Sequence, residues 1–271
     1  MTTPSPTAAV ESLLAFWADA GVDGLLLDEP VDRIEAGRIA PPQAPVRKVA
    51  PPVLQTPARS QPELSGAVAE AQARAAEASD LEALAAAIAA FDGCALKFEG
   101  AARQSVFARG RPDAPVMVIG EGPGAEEDAK GLPFVGRAGQ LLDRMLAAAG
   151  ISERVLITNT VFWRPPGNRT PTTAEQTICA PFLERAIALV QPKLLLLVGG
   201  ASAKAMLKRE EGILSLRGRW FEWRSGDGGL EVPALPTLHP AFLLRQPAAK
   251  KRAWLDLLTL TERLDRPERR S

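Results

Sequence analysis

The chain has 271 residues, 46% of them apolar and 24% charged, with as many basic as acidic groups, a balance usual for a globular protein in water. No apolar run reaches the roughly 18 residues of a membrane span, and the first residues carry no basic stretch followed by an apolar one, so a cytoplasmic protein with no membrane contact is expected. The neutral sum hides a division: residues 1–90 carry an excess of six acids and the remainder an excess of six bases, which permits phosphate contacts by the body without requiring them.

In chain order, Ala8 to Ala20 places Val10, Leu13, Leu14, Phe16 and Trp17 near one helical face, which predicts a satellite helix within residues 1–28. Residues 29–64 contain Pro41, Pro42, Pro45, Pro51, Pro52 and Pro57 and few large apolar groups, the composition of a flexible linker that cannot offset its ordering entropy. Residues 65–90 are Ala-rich and helix-favouring and lead into a main domain, 65–271. There the pattern alternates: strand Val116 to Ile119, helix Ala138 to Ala149, strand Val155 to Thr158, helix Thr173 to Val190, strand Leu194 to Val198, helix Ala201 to Leu207. A β-rich piece from Trp220 to Thr237 and a helix from Ala248 to about Arg263 follow. Such alternation predicts an α/β fold with a parallel sheet covered by helices on both faces.

Chemistry is expected in loops that leave strand ends. The first is Gly120-Glu121-Gly122-Pro123-Gly124-Ala125-Glu126-Glu127-Asp128, followed by Gly131-Leu132-Pro133-Phe134-Val135-Gly136-Arg137-Ala138-Gly139. Asn159 ends the second strand, Arg164-Pro165-Pro166-Gly167-Asn168-Arg169 follows it, and His239, the one histidine, stands in His239-Pro240 with Leu244-Arg245 after it. Neither G-x-G-x-x-G nor G-x-x-x-x-G-K-[ST] occurs at the glycine loop, which disfavours a nucleotide-binding reading.

These motifs, in this order over roughly residues 91–260, resemble the family 4 uracil-DNA glycosylases. The resemblance implies a three-layer α/β/α sandwich with a central, mainly parallel four-stranded sheet, and an enzyme that flips uracil out of single- or double-stranded DNA and hydrolyses its N-glycosidic bond, leaving an abasic site. It implies roles by position. Phe134 stacks on the base, worth roughly 1 to 3 kcal/mol. Asn159 accepts from uracil N3–H and donates to O4, a pattern cytosine reverses. His239 donates to uracil O2 as the bond breaks. Glu121 orients or deprotonates water, with Glu127 and Asp128 as weaker candidates. Gly122 belongs to the substrate loop, and its amide, with those of Gly124 and Gly200-Ala201, suits phosphate. Arg245, with Leu244 beside it, is the expected wedge into the vacated stack, and Arg164, Asn168, Arg169 and Arg217 are candidate DNA contacts. The alternative is a protein that binds uracil or damaged DNA without cutting, which would have no need of Glu121 and His239.

One departure concerns the family's four-cysteine iron-sulfur pattern. Cys94 and Cys179 match its second and fourth ligands, but Phe91 and Trp163 stand in the first and third places, and two thiolates cannot hold a tetrathiolate cluster. The expectation is an apolar plug, no cluster and no other cofactor or metal, a cluster shared between two chains being the less favoured alternative. No second histidine exists to trap the sugar covalently, and Lys130 is a poor candidate for a lyase amine. The chain has no tyrosine, and Gly124 occupies the place where the resemblance implies a Tyr against uracil C5; C5 is therefore expected to be guarded only by Glu127, a candidate substrate-binding residue, or by nothing bulky, so that 5-substituted uracils are accepted. A monomer is expected, cytoplasmic and at the nucleoid when acting, its acidic N-terminal arm available to a repair or replication partner.

Overall fold

The computed structural model describes residues 61–99 and 101–266. The satellite helix predicted over Ala8 to Ala20 and most of the predicted linker lie outside these residues. The linker's predicted end is corrected: α1 spans Gln61–Glu77, so helix begins four residues before Ser65, and Pro62 is compatible with a first helical turn, where its missing N–H costs nothing. The Ala-rich stretch is two helices rather than one, because Asp80 caps α2 (Leu81–Ala90), its carboxylate accepting the Ala83 N–H at 2.8 Å.

The later elements are β1 (Ala108–Gly110), β2 (Val116–Gly120), α3 (Ala125–Lys130), α4 (Arg137–Ala148), β3 (Val155–Asn159), α5 (Thr173–Val190) and β4 (Leu194–Val198). They continue with α6 (Gly200–Leu207), α7 (Ile213–Leu216), β5 (Phe221–Arg224), β6 (Glu231–Thr237), α8 (Pro240–Arg245) and α9 (Lys250–Asp265). The sheet order is β1-β3-β2-β4-β6-β5. The inner four strands are mutually parallel, as expected, while β1 and β5 add antiparallel edges and make the sheet six-stranded. Edge β1 escaped prediction because its three residues, Ala108-Arg109-Gly110, are half exposed and carry no apolar pattern.

Three of the parallel strands are buried at every position, the condition for a sheet covered on both faces. Met117, Ile119, Leu156, Leu195, Leu197 and Ala234 join one core with residues of α1, α2, α5 and α6. Val116, Val118, Val155, Ile157, Leu194, Leu196 and Leu235 join another with α4 and α9. Fully burying one such side chain contributes about 1.5 to 3 kcal/mol. Parallel strands end on one edge, so the loops after β2, β3, β4 and β6 gather there.

Candidate active site

Gly120, the last residue of β2, pairs in register with Asn159, the last of β3. A Cβ placed on Gly120 would lie 2.5 Å from Asn159 Oδ1 and 2.5 Å from the Phe134 ring, so a carboxamide and an aromatic face converge where a side chain is missing. Asn159 is 1% exposed, and its Oδ1 is a buried atom with no hydrogen-bond partner among the described residues. Leaving a buried acceptor unpaired costs about 1 to 3 kcal/mol, a cost that a ligand N–H would remove.

Phe134 is held in the left-handed region, φ 54°, a strain of about 1 to 3 kcal/mol for a non-glycine residue. Its surroundings over-determine it. Arg109 donates to the carbonyls of Pro133 (2.7 Å) and Phe134 (3.1 Å) and pairs with Asp143 at 2.6 Å. Glu127 Oε1 accepts from the amides of Val135 (3.0 Å) and Gly136 (2.9 Å), while Oε2 accepts from Gly124 (3.1 Å). Gly139 permits the close approach, since a Cβ there would fall 1.8 Å from the Phe134 carbonyl oxygen.

His239 caps α8. Its Nδ1 accepts the Ala241 N–H at 3.1 Å, and its ring lies 5.8 Å from that of Phe134, centroid to centroid, inclined at 32°. Burial, helped by the positive charge of Arg245 and opposed by Glu127, lowers its pKa to about 4. The imidazole is therefore neutral at physiological pH, and with Nδ1 accepting, its proton sits on Nε2. Glu121 follows β2 directly and is partly exposed, its carbonyl fixed by the Thr160 hydroxyl at 2.6 Å. β2 and β6 are separated only by β4, so about 10 Å lies between their axes, the dimension of a nucleoside.

The sequence model of the uracil DNA glycosylase superfamily matches residues 107–258. The chain belongs to that superfamily. Relatives include the type-4 uracil-DNA glycosylase of Pyrobaculum aerophilum, 39% identical over 160 residues that cover 57% of this chain and 81% of the relative. That of Thermotoga maritima is 42% identical over 142 residues, 52% of this chain and 71% of the relative. That of Sulfurisphaera tokodaii is 37% identical over 171 residues, 61% and 77% respectively.

Within this glycosylase fold, several residues stand differently from expectation. Glu127 accepts three backbone amides, so its carboxylate braces the two loops rather than addressing water. Asp128 is 1% exposed and accepts the Arg103 N–H at 2.8 Å, a pin for the segment before β1. Arg169 forks onto Glu175 at 2.6 and 2.8 Å; burial pushes the Glu175 pKa up, but Arg169 and the Thr172 amide outweigh it and hold the carboxyl below its usual range. Arg217 forks onto buried Asp256 at 2.5 and 3.1 Å. Both guanidiniums are thus paired with carboxylates of the protein, the Arg217 side chain 17% exposed and the Arg169 side chain 36% exposed. Arg164 donates to Asn168 Oδ1 at 2.7 Å beside an exposed turn. The segment after His239 is a short helix rather than a loop: Leu243 is buried, Leu244 half-buried against it, and Arg245 exposed.

Arg109, Thr160 and Asp256 escaped the sequence reading. A signal existed for Asp256, which shares a helical face with Ala253, Leu257 and Leu260.

Cys94 and Cys179 are both fully buried, unbridged and in one core cluster. A hydrogen bond with Cys94, then burial, pushes the Cys179 thiol well up. Phe91 and Trp163 are 0% and 1% exposed, their centroids 6.5 Å apart, and Phe182 meets Phe91 edge-on at 5.2 Å. The Phe91 ring folds back over Gly93, 2.2 Å from where a Cβ there would stand. With two thiols in the whole chain and packed aromatic rings in the other two places, the residues do not fit a four-thiolate cluster.

Proposed function

We propose that this protein removes uracil from DNA by hydrolysing the N-glycosidic bond of a flipped deoxyuridine. The observation that carries the reading is the buried, unpartnered Oδ1 of Asn159 against the Phe134 ring. In the proposed complex Oδ1 accepts uracil N3–H, the Asn159 amide donates to O4, and Phe134 stacks on the base. A neutral His239 donates from Nε2 to O2, where charge collects as the C1′–N1 bond breaks. Such a donor acts by preorganised electrostatics and its loss typically costs 10² to 10³ in rate. Glu121 orients the attacking water and stabilises the cationic sugar: the C1′–N1 bond breaks with its electron pair leaving on the uracil anion, the water oxygen bonds to C1′, and the water's proton passes to the Glu121 carboxylate and on to solvent. Gly122 belongs to this loop, where a Cβ would meet Val161 at 2.8 Å. The exposed Arg245, backed by Leu244, enters the gap left in the stack, and Arg164 with Asn168 lies along the strand.

In the place of the cluster, Phe91 and Trp163 supply an apolar plug that joins the loop after α2, the loop after β3 and α5 by packing alone. Purified protein with the broad visible absorbance of an iron-sulfur centre and four irons per chain would overturn that assignment. For the reaction, a uracil-containing strand treated with protein and then alkali should break with wild type, and far more slowly with Glu121→Gln or His239→Ala. An unbroken strand that is nevertheless bound would refute the enzymatic reading.

A further inference from the structure

The end of β6 is held by a buried polar network apart from the base slot. Asp256, on α9, is 1% exposed among the apolar side chains of its helix. Its Oδ2 accepts the Thr237 hydroxyl at 2.7 Å, and its two oxygens receive the Arg217 fork. Arg217 also donates to the Arg252 carbonyl at 2.6 Å, so one guanidinium joins the turn after α7 to the first turns of α9. The next residue, Gly218, donates its N–H to the Pro236 carbonyl of β6 at 3.0 Å and has φ 72°, with Asp256 Oδ1 only 2.8 Å from where a Cβ would be. Thr237, two residues before His239, accepts the Gly199 N–H at 2.9 Å. Gly199 in turn lies against the imidazole, a Cβ there falling 3.0 to 3.2 Å from His239.

A buried ion pair is a poor way to gain stability, since desolvation offsets most of its Coulombic attraction. Its geometric effect is stronger: the bonds to Thr237, Pro236 and Gly199 fix the end of β6, two residues before His239, and the glycine beside its ring, while the Arg217–Arg252 bond ties that network to α9. We propose that Asp256, with Arg217 and Thr237, is a positioning residue for His239, setting the imidazole where its Nε2–H meets the leaving base. The proposal rests on the glycosylase reading for its consequence in rate, but the placement of the ring can be read without it.

Because the chain has one histidine, its imidazole resonances are unambiguous. The experiment pairs a pH titration of the His239 resonances with single-turnover cleavage at saturating protein, on full-length wild type, Asp256→Asn, Thr237→Val and Leu260→Ala. Leu260 is fully buried on the same helix and outside the network, so its truncation reports loss of packing alone. Asp256→Asn should slow the saturating rate on the order of ten- to a hundredfold, the effect of a misplaced catalytic group, with DNA affinity nearly unchanged. It should also move the His239 pKa from about 4 towards the ordinary 6.5 as the ring gains water, with Glu127 and Arg245, the charged groups that act on it, still in place. Thr237→Val should do the same to a smaller degree, and it decides the matter if Asp256→Asn does not fold. Leu260→Ala should lower the melting temperature and leave both readouts near wild type. Wild-type rate and titration in the folded network variants, or equal shifts in Leu260→Ala, would overturn the proposal. Wild type that fails to cleave uracil-containing DNA refutes the glycosylase reading instead, and the titration then decides the positioning alone.

Discussion

Acid should destabilise this protein through its one imidazole, and the sign follows from where the proton goes. In the folded state burial and Arg245 lower the His239 pKa to about 4, whereas the unfolded chain has the ordinary 6.5. Between these values the unfolded chain binds a proton that the native state refuses, so stability rises with pH across that window. The contribution is lost as pH falls through 6.5 and levels off below about 4. At about 1.4 kcal/mol per unit, and allowing for water at the partly exposed edge of the ring, this amounts to about 2 to 3 kcal/mol. The comparison is wild type against His239→Asn, whose carboxamide oxygen can still accept the Ala241 N–H that Nδ1 accepts now but does not titrate. Denaturant unfolding of both proteins from pH 4 to 7.5 should give a wild-type-minus-variant difference that falls by this amount on acidification, while carboxylates common to both cancel. The saturating cleavage rate of wild type should likewise show no loss near pH 6.5 from protonation of His239. A stability difference that stays flat with pH, or a His239 resonance that titrates near 6.5 in the native protein, would refute the assignment of a buried neutral imidazole.

Three further outcomes test the base slot. Asn159→Asp replaces the amide that donates to O4 by an acceptor suited to the cytosine amino group, so uracil cleavage should lose about 1 to 3 kcal/mol of transition-state stabilisation and slow cytosine release should appear, measured on oligonucleotides of each base. Gly120→Ala puts a methyl 2.5 Å from both Asn159 Oδ1 and the Phe134 ring; overpacking of this kind costs about 1 to 3 kcal/mol, and cleavage at saturating protein should nearly vanish while the folded state persists by circular dichroism. At Gly124 the nearest group to an added Cβ is the Glu127 carboxylate, at 2.7 Å, and no tyrosine exists in the chain. Oligonucleotides carrying 5-hydroxymethyluracil should therefore be cut beside those carrying uracil, and strict selectivity for uracil would sink that expectation.

The inner sheet was legible because its strands are short apolar runs, Val116 to Ile119, Val155 to Ile157 and Leu194 to Val198, separated by helix-length segments. A run buried on both faces needs no partner of particular identity, so composition suffices. The same property made the candidate site legible: Glu121 follows the apolar run of β2, Asn159 closes that of β3, and His239 stands two residues after β6. Elements that depend on what lies opposite them were not legible. β1 exists because β3 offers an unpaired edge, with Ala108 opposite Thr158 and Gly110 opposite Leu156, and nothing in Ala108-Arg109-Gly110 announces it. The split of the Ala-rich helix at Asp80 was readable in principle, since an Asp before a Leu-Glu-Ala run is an N-cap signal.

Charged side chains show where the limit lies. An arginine in a loop near a basic motif suits phosphate equally whether its guanidinium faces solvent or turns inward, and sequence gives no angle. Arg169 and Arg217 pair with Glu175 and Asp256, which sit on buried helical faces and must be compensated there; an unpaired carboxylate in such a position would be far more costly than the loss of one surface cation. Glu127 follows the same logic on a smaller scale. Three amides, those of Gly124, Val135 and Gly136, converge on it, and the turn of Phe134 into the left-handed region is what brings two of them together. The groups proposed for catalysis thus stand among charges committed to holding backbone. That layer distinguishes Glu121, a partly exposed residue directly after β2, from Glu127 and Asp128, whose carboxylates accept backbone amides.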